Sequence, residues 1–403
     1  VVMPRSLLHN WKVEAARFAP RMRVLEHWGP DRARDPGSFD GVDLVLTTYG
    51  TLRADAAFLK DREFDTVILD ESQSIKNAAT ATAKAARLLS GKQRLALSGT
   101  PIENHLGELW SLMEFLNPGL LGSGAHFRSA LEARDGASPE GRSTIARALR
   151  PFILRRTKDQ VASELPARTE QTVLVELDRA ERARYDELRA HYRKSLLAGG
   201  KDWSKTKFNV LEALLRLRQA ACHPGLLDPA RRSSSSSKLE ALLVYLKDVV
   251  EEGRKALVFS QFTSFLGIVR NALDAEGISY SYLDGKTGDR ASAVERFRTD
   301  PECRLFLISL KAGGLGLNLT EAEVVFLLDP WWNPAVEAQA IDRTHRIGQT
   351  RPVFAVRLVS KDTVEEKVLE LQRSKRDLAD AILGGKGGGL GDLTREDLER
   401  LLA

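Results

Sequence analysis

Short apolar runs and longer stretches of helical period alternate along this chain. Val1 to Met3 is apolar and stopped by Pro4, which predicts a buried strand. Ser6 is placed to cap a helix whose apolar positions include Leu7, Leu8, Trp11 and Phe18. Arg21 to His27 and Val42 to Thr47 predict two further strands, separated by the loop WGPDRARDPG. Thr66 to Leu69 is rich in β-branched and apolar residues and predicts a strand buried on both faces. Arg94 to Leu97 predicts another. A helical interval then runs from Leu106 to about Lys158, punctuated by Pro118 and Gly119. Gln171 to Leu177 alternates and predicts a strand. Asp178 to about Gln219 is helical and heavily charged, a pattern that fits a solvated face and equally a nucleic-acid surface. The second half repeats the alternation, with strands predicted at Ala256 to Phe259, Ser279 to Leu283, Leu305 to Ser309, Val324 to Leu328 and Pro352 to Leu358. Strands alternating with helices in this way predict parallel α/β sheets.

Composition narrows the class. With 403 residues and 43% hydrophobic content, two to three domains with full cores are expected. The net charge of +5 is compatible with a polyanionic partner and equally with an ordinary basic protein. Cys222 and Cys303 are the two cysteines and lack CxxC spacing, which argues against a disulfide scaffold or zinc site and for a reducing compartment. Cys222-His223-Pro224 is expected to be a packed turn. No apolar run reaches a membrane span, and no signal peptide is evident. The run RRSSSSS, Arg231 to Ser237, is expected to be a flexible hinge between two halves. Thr363 and Glu366 form a capping box for a helix that would dock through Val364, Val368 and Leu371. Gly384 to Gly389 should be a tether, and Leu393 to Leu402 a short helix.

Chemistry concentrates at the predicted strand ends. Asp70 and Glu71 follow the apolar strand at Leu69. In an open α/β sheet ligands bind at the carboxyl ends of strands. Two adjacent acids there suit nucleotide hydrolysis, one holding Mg²⁺ through water and the next activating the attacking water. A solvated turn would carry the same residues. Ser98-Gly99-Thr100-Pro101 at the next strand end allows close approach to phosphate. Lys311 to Gly316 follows another strand, and glycines there, Gly314 and Gly316 included, also permit phosphate approach. In VEAQAIDRTHRIGQT, Val336 to Thr350, a helix reaching Gly348 would set Gln339, Arg343 and Arg346 on one face. Such a face suits a γ-phosphate, although surface arginines would have the same spacing. The GKT at Gly285 to Thr287 lacks the upstream glycine of a phosphate loop and is expected to be a turn.

The ordered set VVMPRSLLHNW, LTTYGTL, ILDESQSIKN, LALSGTPIENHLGELWSL, FILRRTKDQVASELPARTE, LVFSQFT, YLDGKT, SLKAGGLGLNLTEA, DPWWNP and QAIDRTHRIGQ resembles the SWI/SNF-type family of superfamily 2 helicase-like motors over essentially the whole chain. The resemblance implies two RecA-like parallel-sheet lobes with helical insertions between them. Residues 1–177 would be lobe one with an insertion over about 106–158, and 178–237 a helical protrusion and hinge. Residues 238–360 would be lobe two, 361–383 a docking helix, and 384–403 the tether and short helix. It implies an ATP- and Mg²⁺-dependent, DNA-stimulated ATPase that tracks along duplex DNA. DNA-bound proteins or RNA polymerase would be further partners. Asp70 would hold the metal and Glu71 would activate water. Ser98 and Thr100 would couple the lobes. Gln339, Arg343 and Arg346 would meet the γ-phosphate. Arg5, Ser6, Thr48, Ser260, Gln261 and Lys311 would face DNA. The place of work would be cytoplasm or nucleoid in a bacterium and the nucleus in a eukaryote. Two departures stand out. Ser72 and Gln73 replace the small residue and histidine usual after the acids, which bears on lobe coupling. No G-x-x-x-x-G-K-[ST] run occurs, so the chain is expected to be a catalytic region cut within its first lobe and inactive alone. An RNA- or RNA-polymerase-directed motor and a nucleotide-independent nucleic-acid module of the same fold are the alternatives.

Overall fold

The computed structural model describes residues 1–99, 106–124, 127, 149–154, 156, 158–162, 164–198, 203–313, 317–370 and 372. The chain divides into two compact units, and among the described residues the second begins at Arg156.

The first unit holds β1 (Val2–Met3), β2 (Val24–His27), β3 (Leu44–Thr48), β4 (Glu63–Leu69) and β5 (Ser90–Ala96). They form one parallel sheet in the order β2-β3-β1-β4-β5. β1 is short yet central, pairing Val2 with Thr47 on one side and Leu69 on the other. Val2, Val67 and Leu69 pack on one face with Leu52, Ala83 and Phe115. Met3 and Leu46 pack on the other with Leu7 and Leu8. The two faces need helices on both sides, which the helices Leu8–Phe18 and Ala81–Leu88 supply.

The second unit holds β6 (Arg168–Val175), β7 (Ala256–Ser260), β8 (Tyr280–Leu283), β9 (Leu305–Ser309), β10 (Val324–Leu327) and β11 (Val353–Ser360), all parallel in the order β6-β11-β10-β7-β9-β8. Every residue of β7, β9 and β10 is buried. Successive side chains serve opposite cores: Val258, Leu307 and Phe326 meet Leu242, Phe265 and Val269, while Phe259, Ile308 and Leu327 meet Phe297 and Ile341. At about 1.5–3 kcal/mol per buried large apolar side chain, this double-faced core makes the strand ends a firm platform. Two parallel-sheet α/β lobes are therefore present as the motifs implied.

Boundaries differ in two places. β6 belongs to the second sheet, in an eight-residue register with β11 (Arg168 opposite Val353, Val175 opposite Ser360), rather than to the first lobe. The serine-rich run lies inside the second unit and is anchored by its hydroxyls. Ser236 caps the helix Ser237–Glu251 by accepting from Leu239 N, and Ser237 Oγ donates to Glu181 at 2.5 Å. Next to it, His223 is fully buried, accepts from Gly225 N through Nδ1 and places Nε2 2.9 Å from the Ser234 carbonyl, the packed turn expected. Gly225 is required there, because a Cβ would sit 2.7 Å from Arg232 Cα. The charged stretch after Asp178 forms two helices, Arg179–Ala198 and Trp203–Cys222, the second reaching beyond Gln219. A helix over 364–370 buries Val364 and Val368 against Tyr185 and Leu214. Leu371 and the tether lie outside the described residues. No helix among the described residues is long and apolar enough to cross a membrane.

Candidate nucleotide-hydrolysis site

Asp70 and Glu71 stand at the carboxyl end of β4, between β1 and β5. Asp70 N donates to Val2 O at 2.8 Å, and Ser72 N to Leu97 O at 2.9 Å, so both neighbouring strands hold the turn. Glu71 adopts a left-handed backbone, φ 49°, ψ 52°. A non-glycine residue there carries roughly 1–3 kcal/mol of strain, which persists only where surrounding contacts over-determine it. Those contacts are present. Trp11 Nε1 donates to Asp70 Oδ2 at 2.8 Å, Glu71 N to Asp70 Oδ1 at 2.8 Å, and the Tyr49 hydroxyl to the Asp70 carbonyl at 2.8 Å. Gln73 Nε2 donates to Glu71 Oε2 at 2.6 Å, and Ser98 Oγ donates to Gln73 Oε1 at 3.1 Å. Among the described residues, both carboxylates are held by neutral donors and neither forms an ion pair. A carboxylate has about four lone-pair positions, so Asp70 keeps capacity for a hydrated divalent cation.

The Gln73 contact answers the departure noted in the sequence. An amide has both a donor and an acceptor end, and Gln73 uses one on Glu71 and the other on Ser98. Thr100 lies outside the described residues.

In the second unit, Asn333 caps the helix Pro334–Ile341, its side chain accepting from Ala335 N at 2.9 Å. The helix stops at Ile341, short of the expected Gly348. Thr344 Oγ1 donates to Ile341 O at 2.8 Å, and Gln349 Nε2 to Ala322 O at 2.9 Å and Thr344 O at 3.2 Å. Leu319 N takes the Arg343 carbonyl and Gln349 Nε2 the Thr344 carbonyl, where a continuing helix would use its own amides, and the segment is tied down as a turn. Gly348 completes it with φ 101°. Gln339 therefore sits on the helix, while Arg343 and Arg346 sit in the turn, and the single helical face is not formed. Arg343 is buried, its carbonyl accepting from Leu319 N at 3.0 Å. Arg346 is half-buried and donates Nε to Asp342 O at 3.0 Å.

The six residues expected to face DNA have different surroundings. Arg5 is exposed, its guanidinium 4.9 Å above the Trp28 ring. Ser6 Oγ is buried with no partner among the described residues. Thr48 is buried and caps the helix Tyr49–Ala54, accepting from Thr51 N at 3.0 Å. Ser260 is fully buried and donates to Asp329 Oδ1 at 2.5 Å, and Gln261 N donates to the same carboxylate at 3.3 Å. Gln261 Nε2 is buried without a partner among the described residues. The Lys311 side chain, Gly314 and Gly316 lie outside the described residues. Trp11 and Asp329 carry no site role in the sequence reading, yet they contact Asp70 and Ser260. For Asp329 the signal was available, an acid at the end of an apolar strand. Burial pushes its carboxyl up and the nearby Arg218 guanidinium opposes that.

The pattern of the SNF2-related domain matches residues 1–226. The chain belongs to the SNF2-related, SWI/SNF-type family of ATP-dependent helicases. Its second half, residues 237–348, matches the helicase conserved C-terminal domain. The division between the two patterns thus falls at the serine-rich run, whereas the second compact unit begins at Arg156. Among SNF2 relatives, the chain is 36% identical over its whole length to a putative ATP-dependent helicase/translocase of Bacillus subtilis, covering 45% of that protein. It is 36% identical, again over its whole length, to an uncharacterized ATP-dependent helicase of Mycoplasma pneumoniae, covering 38% of it. A human SWI/SNF-related regulator of chromatin is 33% identical across 95% of the chain and 38% of the relative. The chain thus spans roughly two fifths of these relatives' length. The SWI2/SNF2 ATPase core of Sulfolobus solfataricus, solved with double-stranded DNA, is similar at 34% identity and a TM-score of 0.50, across 99% of this chain and 85% of that one.

Proposed function

We propose that this SNF2 chain is the catalytic region of a DNA-stimulated ATPase that translocates on double-stranded DNA. The observation that carries the reading is the paired acid turn at the end of β4, with Asp70 fixed by Trp11, and Glu71 fixed by Gln73 in a strained backbone. Asp70 would hold Mg²⁺ through water, and the ion would neutralise charge on the phosphates of ATP. Glu71 accepts a proton from, or orients, the attacking water. Arg343 and Arg346 stabilise charge on the γ-phosphate, and Gln339 would reach it from the preceding helix. The contact from Ser98 to Gln73 links the hydrolytic acid to the next strand end. With Thr100 it would serve to pass the state of the nucleotide on. Arg5, Ser6, Thr48, Ser260, Gln261 and Lys311 form the proposed DNA-facing set. The relative solved with double-stranded DNA supports duplex DNA as the partner. Thr48 and Ser260 are engaged internally, so they would shape backbone that meets phosphate rather than donate their hydroxyls to it.

The test is phosphate release by the full-length protein with and without duplex DNA, in wild type and Glu71→Gln. Duplex DNA should raise the rate, and the substitution should abolish it while ATP still binds. A Glu71→Gln enzyme that keeps its DNA-stimulated rate would remove Glu71 from the chemistry.

A further inference from the structure

The turn that carries Arg343 and Arg346 is held by a segment far away in sequence. The second compact unit begins at Arg156, and Lys158 opens the one-turn helix Lys158–Val161 just inside it. The Lys158 ammonium donates to the His345 carbonyl at 2.7 Å and lies 2.7 Å from Asp342 Oδ1. Arg168, the first residue of β6, places NH1 3.3 Å from the same carboxylate oxygen. His345 Nε2 lies 2.9 Å from the Pro166 carbonyl. Asp342 is thus a junction: its side chain meets two cations, and its backbone carbonyl accepts from Arg346 Nε. The preceding helix is tied to the same segment through Arg357, which bridges Glu337 at 2.7 Å and Glu170 at 2.7 Å.

We propose that Lys158 and Arg168 are positioning residues for the arginine turn, setting Arg346 in place through Asp342 before a nucleotide arrives. The proposal rests on the reading of Arg346 as a γ-phosphate group. Lys158 and Arg168 meet the Asp342 carboxylate and Arg346 its backbone carbonyl, so one residue ties all three cations together, with Arg168 also paired to Glu170. Burial lowers the Lys158 pKa, Asp342 opposes this, and Arg346 and Arg168 lower it further. Partly exposed pairs of this kind add little to stability, so their loss should be felt in catalysis more than in folding. The brace also sits where the chain enters the second unit, which makes the connecting segment a part of the site.

The full-length protein is compared as wild type, Lys158→Met, Lys158→Arg, Asp342→Asn, Arg346→Ala and the Lys158→Met/Arg346→Ala double variant. The readouts are kcat, KM for ATP, thermal unfolding, and affinity for ADP with and without aluminium fluoride as a γ-phosphate mimic. Lys158→Met and Asp342→Asn should lower kcat by roughly 10- to 100-fold, as a misplaced catalytic group does. They should weaken the fluoride complex by a similar factor, while KM and ADP affinity stay within about twofold. Lys158→Arg should recover most of the activity. On the Arg346→Ala background, Lys158→Met should add less than about threefold, because both act through one group. Should Lys158→Met fail to fold, Asp342→Asn and Lys158→Arg carry the comparison. Wild-type kcat in Lys158→Met and Asp342→Asn beside an inactive Arg346→Ala overturns the proposal, as do losses that multiply fully in the double variant. Full turnover in Arg346→Ala overturns instead the reading on which it rests.

Discussion

Replacing Lys238 by methionine should destabilise the second unit by about 3 kcal/mol. Lys238 and Glu365 are both fully buried, with Nζ 2.5 Å from Oε2. The ammonium also donates to the Leu328 carbonyl at 3.1 Å. Removing one partner of a buried pair costs about 3–5 kcal/mol, because the other charge is left without compensation. Two features place the loss at the lower end. Glu365 keeps the Ser360 amide at 2.9 Å and the Cys222 thiol at 3.3 Å as donors. A stranded carboxylate also escapes by taking up a proton, which at pH 7 costs an ordinary glutamic acid about 3.7 kcal/mol and sets a ceiling. The ceiling falls by about 1.4 kcal/mol for each pH unit towards acid. Adding Glu365→Gln to Lys238→Met removes the charge, keeps an oxygen for the Ser360 amide, and should recover about 2 kcal/mol. Native-state hydrogen exchange of peptides covering Ala256–Ser260 reads the second unit separately from the first. The measurement at pH 7.5 and 5.5 should show the deficit shrinking in acid. A deficit under about 1 kcal/mol at pH 7.5 would refute the reasoning, as would one that neither acid nor Glu365→Gln relieves.

Arg346→Ala in the full-length protein should lower turnover by about 10³-fold or more, and Arg346→Lys should not rescue it, since the planar fork is lost; steady-state phosphate release checks both. Acid should loosen both units. Burial holds His27 and His223 below the ordinary value of 6.5, so the unfolded chain binds their protons more readily than the native one. Their stabilising contribution is complete above pH 6.5 and is lost as pH falls through the lower folded values; unfolding curves that are flat or rise between pH 7 and 5 would contradict this.

The inner strands β7, β9 and β10 were legible because burial on both faces makes each a nearly continuous apolar run: Leu305–Ser309 was located to the residue. Asp70 and Glu71 were legible for a related reason, since charge directly after an apolar strand marks the strand's end. The arginine turn was not. Spacing of three and four residues implies a common helical face only while the helix continues, and here Leu319 N and the Gln349 side chain take the Arg343 and Thr344 carbonyls. The partner of β6 was equally hidden, because the register of Arg168–Val175 with Val353–Ser360 joins segments with no local pattern in common. The serine run read as flexible on composition, yet a hydroxyl is also a capping group, and Ser236 is buried in that role. Trp11 has the spacing of a core residue, and nothing local shows that its indole reaches Asp70.

The most direct measurement of the proposed motor is displacement of a third strand from triplex DNA by the full-length protein, run beside a strand-separation assay on the same duplex. A motor that tracks along duplex DNA should release the third strand only with hydrolysable ATP, leave the duplex strands paired, and lose the activity in Glu71→Gln. ATP-dependent separation of the duplex strands, or DNA-stimulated hydrolysis with no displacement at all, would contradict translocation on intact duplex DNA.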